Sequence, residues 1–276
     1  MRMITFSGVL LACYVCVRIG AYDNNLIVPD ESVISSMIRG SYKSKELIEK
    51  TLRTPRWRKI SQASGKEDIW LYEHYFYGIT NGVIVESGAG NGFTDSVSYF
   101  FEKFMGWSSI LIEPEKRSFS QLTTNRTNSI RANIGLCDKP RMLHFSSSVQ
   151  PHMHGYVELM PQKYKRKYHA GIITGDLEPS TCVPLQSIVD QLGINKIDVW
   201  VLDVEGAEEV ALRGLDFDKV NVSAVVIDTE STDTPRDTRK LEYMRMRGFR
   251  CSVIKLNIVC FNKSFRRNVS NKLKFS

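Results

Sequence analysis

The sequence predicts an α/β fold in which a mostly parallel sheet carries helices on both faces and ends in an antiparallel hairpin. From residue 82 onward, short apolar segments typical of buried strands alternate with segments of helical spacing. Acidic residues and glycines follow directly after several of the apolar segments. The last two strand-like segments, 249–256 and 258–261, adjoin without a helix between them, which is typical of a hairpin.

The composition indicates a globular protein with ample material for a buried core. Of its 276 residues, 42% are hydrophobic and 24% are charged. An excess of 37 Lys and Arg over 30 Asp and Glu gives a net charge of +7, spread along the chain. A solvated surface explains most of this charge, with an anionic membrane surface or an acidic partner as the alternative. Basic residues are not interleaved with aromatic residues, so we expect no nucleic-acid partner.

Residues 1–21 have the pattern of a secretory signal peptide or a short signal anchor. The uncharged stretch 4–17 is followed by Arg18, and its length fits a signal peptide better than a membrane span. Sequons of the N-x-S/T type occur at Asn125, Asn221, Asn262 and Asn268. We therefore expect a location in the secretory pathway: the lumen or membrane of the ER or Golgi, the endosome, the plasma membrane or the exterior.

Cysteine usage agrees with that route. Beyond the first segment the cysteines are Cys137, Cys182, Cys251 and Cys260, an even number that permits up to two disulfides. Cys251 and Cys260 would face each other if the hairpin turns near Asn257, so a bond is predicted there, with reduced core cysteines as the alternative. We also predict a bond between Cys137 and Cys182.

The chain divides into a lead-in, a main domain and a tail. Residues 22–80 are predicted to be a helical lead-in, with helical spacing at 32–38, 45–52 and the aromatic-rich 67–77. The main domain is expected over 81–264, with strands at 82–87, 109–113, 131–137, 197–204 and 223–228, and helices at 93–104, 115–125, 184–192, 207–215 and 238–247. Residues 146–180 lose periodicity and are predicted to be a loop or insertion, and 265–276 a basic tail.

A glycine loop follows the first strand of the main domain. Residues 83–93 read VIVESGAGNGF, with glycines at alternate positions after Glu86, and Ala89 between the first two; the glycines are Gly88, Gly90 and Gly92. A dinucleotide loop follows G-x-G-x-x-G, but Phe93 replaces its third glycine and Glu86 would repel a phosphate. S-adenosylmethionine is cationic at its sulfonium and amino groups and has no phosphate. The loop is therefore predicted to bind S-adenosylmethionine.

Acidic residues end successive predicted strands, where parallel sheets bind ligands. These residues are Glu86, Glu113, Asp138, Asp203, Glu205 and Glu230. Neighbouring carboxylates are costly to bury unless a bound group offsets their charge. Glu113 suits the ribose hydroxyls of the cofactor, and Asp203 and Glu205 are candidate bases for a hydroxyl acceptor, with Asp203 favoured. Glu205 and Glu208 can also be explained by the dipole of the following helix, the better explanation for Glu208. His152 and His154 lack a third ligand, so no metal is expected.

The sequence resembles the FkbM-type methyltransferases over about residues 82–260. The matching segments are VIVESGAGNG, GWSSILIEPEKRSFSQLTTNR, NIGLCD, IDVWVLDVEGAEEVALRGLDF and VVIDTE. Within the family it is similar to the animal branch typified by Star, through E-S-G-A, G-W-x-x-x-L-I-E-P and the positions of Cys137 and Cys182. The resemblance implies a class I, Rossmann-like methyltransferase fold, with the donor held by 86–92 and Glu113. It also implies that Asp138 lies near the adenine edge, and that Asp203, Glu205 and Glu208 flank the methyl group and the acceptor.

Two functions follow from the residues and the resemblance. The first is S-adenosylmethionine-dependent O-methylation of a hydroxyl on a glycan or small molecule in the secretory pathway. The second, implied by the Star-like branch, is a catalytically silent protein that acts in ER-to-Golgi or endosomal trafficking, with a membrane protein as its cargo. A Ser-x-x-Gln motif expected in that branch before the first strand is absent, and residues 69–76 stand in its place.

Overall fold

The structure is a computed structural model that describes residues 25–27, 57–148, 154–162, 165–166, 175–229 and 235–266. The predicted signal segment and the predicted helices at 32–38 and 45–52 lie outside the described residues. Glu230, His152 and nearly all of the basic tail lie outside them as well.

The secondary structure alternates strands and helices from residue 83 onward. The described strands are β1 (Leu26–Ile27), β2 (Val83–Ser87), β3 (Ser108–Ile112), β4 (Ile130–Ala132), β5 (Gly135–Leu136), β6 (Arg141–Ser148), β7 (Gly155–Tyr156), β8 (Gly175–Val183), β9 (Lys196–Leu202), β10 (Asn221–Asp228), β11 (Phe249–Ile254) and β12 (Asn257–Asn262). The described helices are α1 (Glu67–Leu71), α2 (Ser98–Met105), α3 (Lys116–Asn125), α4 (Leu185–Gln191), α5 (Glu208–Leu212) and α6 (Pro235–Met246). A 3-10 helix (Trp57–Ile60) precedes α1, and a π-helical turn (Tyr72–Phe76) continues it.

An eight-stranded sheet forms the core, in the order β1-β4-β3-β2-β9-β10-β12-β11. The five strands from β4 to β10 pair in parallel, and β1, β12 and β11 are antiparallel to their neighbours. The chain runs outward from β2 through β3 to β4 and later returns to β9 on the other side of β2. The strand order therefore reverses between β2 and β9, a point where sheets of this kind bind ligands. The predicted parallel sheet and C-terminal hairpin are confirmed.

Hydrophobic side chains cover both faces of this sheet. Side chains alternate between the faces along a strand, so Val85 belongs to one buried cluster and Ile84 to another. The first cluster includes side chains of α4, α5 and α6, and the second includes those of α1 and α2. The aromatic side chains of the lead-in pack in the second cluster, where Tyr72 meets Phe100 edge-on at 5.5 Å. The lead-in thus closes one face of the sheet.

The prediction of a loop or insertion over 146–180 is wrong at both ends of that range. There β6 and β8 pair antiparallel, from Arg141↔Cys182 to Ser148↔Gly175, and with β5 and β7 they form a second, four-stranded sheet. The strands escape detection because their facing ends, SSS and GDLE, are polar and carry no alternating apolar pattern. The predicted strand 131–137 is likewise divided, since β4 belongs to the larger sheet and β5 to the smaller one.

The helix predicted from residue 93 begins only at Ser98. Ahead of it, the Asn91 side-chain oxygen accepts hydrogen bonds from the main-chain N–H groups of Phe93, at 2.9 Å, and Thr94, at 2.8 Å. An asparagine that bonds nearby backbone in this way competes with helix formation. Residues 88–97 consequently form a loop between β2 and α2, named the glycine loop below.

Candidate active site

Gly88 ties the glycine loop between the ends of two strands. The N–H groups of Gly88 and Ala89 donate to the main-chain oxygen of Ile112, at 2.9 and 3.1 Å. Gly88 has a φ of +83°, and a Cβ at this position would lie 1.7 Å from the main-chain oxygen of Asp203. Any side chain here would push the loop away from β9, so the close approach requires glycine.

Gly90 opens towards a cavity, in contrast to Gly88. A Cβ on Gly90 would meet nothing within 4 Å, and its φ is +52°. Its N–H donates to Oε2 of Glu113 at 2.8 Å, while the N–H of Glu115 donates to Oε1 at 2.7 Å. The carboxyl of Glu113 is buried, and burial raises its pKa to about 7 in spite of these two hydrogen bonds. Gly90 and Glu113 together form a cradle with open space in front of it.

That space, here called the Glu113 cavity, has a volume of about 330 Å³. Ile112 and Leu136 line it as apolar walls, and Phe145 and Tyr156 reach it from the smaller sheet. Its acidic members are Glu113, Asp203 and Glu205, and no Lys or Arg stands among the described residues that line it. The cavity therefore favours a ligand with an apolar body and a positive charge, and disfavours a pyrophosphate.

A second cavity, here called the Asp228 cavity, has a volume of about 340 Å³ and shares Gly88 and Asp203 with the first. Its lining is more polar and includes Asp95, Asp228 and a single described lysine, Lys255. The Nζ of Lys255 donates to the main-chain oxygen of a lead-in residue at 2.9 Å. The two cavities thus meet at the end of β9, where Asp203 is accessible from both.

Asp203 and Asp228 lie side by side because they follow paired residues of neighbouring strands. Leu202 pairs with Ile227 in the parallel ladder of β9 and β10. The side chain of Asp203 is open to the cavities, yet the surrounding protein and the carboxylates of Asp228 and Glu208 raise the pKa of its carboxyl. Solvent access weakens the effect of burial there, whereas the like charges raise the pKa in either case. Burial and the charge of Glu208 also raise the pKa of the half-buried Asp228 to about 7.

Two buried charged residues, Glu208 and Lys240, lie next to the pair formed by Asp203 and Asp228. Oε1 of Glu208 accepts the N–H groups of Val204, at 3.2 Å, and Gly206, at 3.0 Å, as expected for a carboxylate at a helix start. Lys240 is almost fully buried; its Nζ pairs with Asp237 at 2.7 Å and donates to the main-chain oxygen of Asp228 at 2.9 Å. Glu208 therefore has the structural role that its position at the helix start favours.

The carboxylate of Glu86 is engaged within the fold. Its Oε1 accepts the N–H of Val97 at 2.7 Å, and its Oε2 accepts the hydroxyls of Ser96, at 2.7 Å, and Ser98. Glu86 lies among the residues of the Asp228 cavity together with Ala89, but both of its oxygens hold the end of the glycine loop. This supporting role is one that the sequence does not predict.

Asp138 and Gly92 lie outside both cavities. The chain passes into the smaller sheet after β4, which carries Asp138 away from the edge of the larger sheet, and its carboxylate pairs with Arg141. This placement does not support the implied role of Asp138 at the adenine edge. Gly92 faces α3, since a Cβ there would lie 2.3 Å from Cδ1 of Leu122. The other cofactor residues predicted from the sequence, and Asp203 and Glu205, lie at one or both cavities.

Several cavity residues are missing from the predictions made on sequence. Asp228 is the last residue of β10, so the strand-end rule that selected Glu230 could have found it two positions earlier. His154, which the sequence suggested only as a possible metal ligand, also lies at the Glu113 cavity. The sequence does not single out Phe145 and Tyr156 as cavity residues, because the strands of the smaller sheet lack an alternating apolar pattern.

Both predicted disulfides are present in the structure, Cys137–Cys182 and Cys251–Cys260. The first joins the end of β5 to β8 in the smaller sheet, and the second crosses the C-terminal hairpin. Within the segments that the structure describes, no group of three or more His, Cys, Asp or Glu residues could hold a metal ion. No helix among the described residues is long and apolar enough to cross a membrane.

The chain belongs to the methyltransferase FkbM domain family, whose model matches residues 86–251. With the strand order described above, this membership identifies the fold as that of the class I methyltransferases. No curated protein sequence matches the chain.

Several solved methyltransferase structures are similar at low sequence identity. Methyltransferase FkbM from Methylobacillus flagellatus KT gives a TM-score of 0.44 at 13% identity, covering 84% of this chain. This chain spans only 58% of that protein. Precorrin-6y C5,15-methyltransferase from Geobacter metallireducens GS-15 gives 0.37 at 11% identity, covering 80% of this chain and 94% of its own. A methyltransferase from Geobacter sulfurreducens gives 0.37 at 10% identity, covering 86% and 99%.

Proposed function

We propose that this protein is an S-adenosylmethionine-dependent methyltransferase that methylates a hydroxyl group of a glycan or small molecule. The observation that carries the proposal is the pair of cavities that share Gly88 and Asp203. A donor in the Glu113 cavity and an acceptor in the Asp228 cavity would meet beside one carboxylate. Such a meeting point is what a transfer reaction between two bound molecules needs.

The residues of the Glu113 cavity fit the cofactor. Its volume of about 330 Å³ lies within the range of small-molecule sites, about 300–1,000 Å³. Gly90 leaves room for close contact, and the carboxylate of Glu113 can accept hydrogen bonds from ribose hydroxyls. Asp203 and Glu205 would stabilise a positive charge. When bound, the cofactor supplies a methyl group activated by its sulfonium.

The chain itself would contribute alignment and a proton acceptor. The main chain at Gly88 and Gly90, with Glu113, would hold the donor, so that most of the rate enhancement comes from orientation. A carboxylate oxygen of Asp203 would take the proton of the acceptor hydroxyl. Its raised pKa makes Asp203 a stronger base than an ordinary aspartate, and the negative charge of Asp228 contributes to that effect. Glu205, with a φ of +50°, is the second candidate base at this turn.

Transfer of an isotope-labelled methyl group tests the proposal. The full-length protein is incubated with labelled S-adenosylmethionine and a panel of neutral, cationic and anionic glycans and polyols, and the products are identified by mass spectrometry. We expect label on an oxygen of at least one acceptor, and its loss with Asp203→Asn. Donor binding with no transfer to any acceptor would instead favour the catalytically silent, Star-like role in trafficking a membrane protein.

We also propose that the protein acts in the secretory pathway. The two disulfides support this location, because such bonds persist in oxidising compartments. The sequon residues Asn125 and Asn221 are exposed, as glycan acceptors must be. Cells expressing the chain should yield a protein whose mass falls on glycosidase treatment. An unglycosylated product with free cysteines would contradict the proposed location.

A further inference from the structure

A fully buried arginine, Arg126, contacts the glycine loop and lines neither cavity. Arg126 follows the last residue of α3, and none of its surface is exposed. Its Nη1 donates to the main-chain oxygen of Gly92 at 3.0 Å and to the hydroxyl of Ser96 at 3.2 Å. Its Nη2 donates to the hydroxyl of Ser98 at 3.0 Å. One guanidinium therefore holds the middle and the end of the loop together.

The two serine hydroxyls connect Arg126 to Glu86. Ser96 and Ser98 each accept a hydrogen bond from the guanidinium and each donate one to Oε2 of Glu86. Hydrogen bonds arranged in series between opposite charges polarise and strengthen one another. The end of the loop and the first residue of α2 are consequently held between the buried cation of Arg126 and the buried anion of Glu86.

Arg126 is itself held in one orientation by α2. Its Nη2 and Nε contact Oε2 of Glu102 at 2.7 and 3.1 Å, and the hydroxyl of Ser129 donates to the same oxygen. Burial alone would raise the pKa of Glu102, but the charge and hydrogen bonds of Arg126 lower it to about 2. A buried ion pair rarely stabilises a fold more than apolar residues of similar volume would. The Arg126–Glu102 pair is therefore better explained by a role in fixing the conformation of the glycine loop than by a gain in stability.

We propose that Arg126 is a positioning residue, which sets the conformation of the glycine loop for donor binding through Ser96 and Ser98. This inference rests on the proposed function, because the donor is taken to bind at Gly88 and Gly90 in the same loop. Glu86 is the anionic end of the relay. Lysine cannot replace the arginine, since a single ammonium cannot bond the Gly92 oxygen and both hydroxyls in the planar arrangement of a guanidinium.

The test compares variants that break the relay with one that leaves it intact. Ser96→Ala with Ser98→Ala removes both relay hydroxyls but keeps the pair of Arg126 and Glu102. Ser129→Ala is the matched control, because it removes a hydroxyl from the same Glu102 without touching the loop. The dissociation constant for S-adenosylmethionine is measured by calorimetry, with the melting temperature, and the donor KM and kcat are measured if transfer is found.

We expect the double serine variant to weaken donor binding about tenfold or more, since the four buried hydrogen bonds that link Arg126 to Glu86 through these hydroxyls are lost. The Ser129→Ala control should stay within about twofold of the wild type. Arg126→Lys should resemble the double variant, and the change should appear in the donor KM more than in kcat. If Arg126→Lys does not fold, the serine variants still test the positioning role.

Equal donor affinity in the wild type and the double serine variant would overturn the positioning role and leave the proposed function standing. A control that weakens binding as much as the double variant would also overturn it, because the effect would then be general destabilisation. A wild type that does not bind the donor would instead refute the proposed function, and the positioning role with it.

Discussion

Replacing Glu113 with glutamine is expected to weaken donor binding and to remove most of its pH dependence near neutrality. The carboxylate accepts the N–H groups of Gly90, at 2.8 Å, and Glu115, at 2.7 Å. Glutamine has the same shape but one acceptor oxygen, so it loses a partner and the charge that would bind cofactor hydroxyls. A hydrogen bond to a charged group contributes about 1.5–3 kcal/mol, which corresponds to an increase in Kd of about 10- to 150-fold.

The pH dependence follows from the pKa of Glu113. Burial raises that pKa from 4.5 to about 7. The carboxyl is then about 10% ionised near pH 6 and about 90% near pH 8, so wild-type affinity should rise about tenfold between these values. Stability should change in the opposite sense. The folded state keeps a proton that the unfolded state loses above its own pKa, so the ligand-free protein loses about 3 kcal/mol between about pH 4.5 and pH 7.

Calorimetric titration of S-adenosylmethionine into both proteins, near pH 6 and near pH 8, measures this effect. The ratio of variant to wild-type Kd at each pH cancels the titration of the cofactor itself. We expect that ratio to increase about tenfold from the lower to the higher pH. A ratio that is the same at both values would show that ionisation of Glu113 does not control binding, and a ratio near one would refute its contact with the donor.

Four further variants test the proposed site and one of the disulfides. Gly90→Ala should abolish donor binding in a folded protein, because a Cβ at Gly90 meets no protein atom within 4 Å and would enter the space of the donor. Gly88→Ala should instead lower the melting temperature, because a Cβ at Gly88 would lie 1.7 Å from a main-chain oxygen. Unchanged binding by Gly90→Ala would place the donor elsewhere. Asp203→Asn should raise the donor Kd, because one of the two carboxylates that face the positive charge is lost, and should reduce kcat about 100- to 10,000-fold. An unchanged kcat would exclude Asp203 as the base. Changing both Cys137 and Cys182 to Ser should lower the free energy of unfolding in denaturant by about 4 kcal/mol, from their separation of 45 residues, and no loss would mean that the bond is not formed in solution.

The larger sheet could be predicted because buried parallel strands appear in sequence as apolar runs. Residues 83–85, 199–202 and 224–227 are such runs, and each lies in an observed strand. The smaller sheet could not be predicted in the same way. Its longest strands pair polar ends such as Ser148 and Gly175, which meet only when distant parts of the chain fold together.

The part of the candidate site that lies at the ends of the parallel strands could be predicted from the sequence. Glu113 and Asp203 follow buried strands and lie at the predicted edge, as does the glycine loop. Asp138 lies away from this edge because a two-residue strand of the smaller sheet intervenes before it. The hydrogen bonds of Arg126 could not be predicted, because a relay through side-chain hydroxyls leaves no pattern in the sequence and is seen only in the folded structure.

The most direct test is a crystal structure of the protein with S-adenosylhomocysteine, the demethylated cofactor. We predict that the ligand lies in the Glu113 cavity, with its ribose hydroxyls hydrogen-bonded to Glu113 and its sulfur close to Asp203. A ligand bound outside this cavity, or a cavity that stays empty at saturating ligand, would contradict the claim that the acidic edge of the sheet holds a methyl donor.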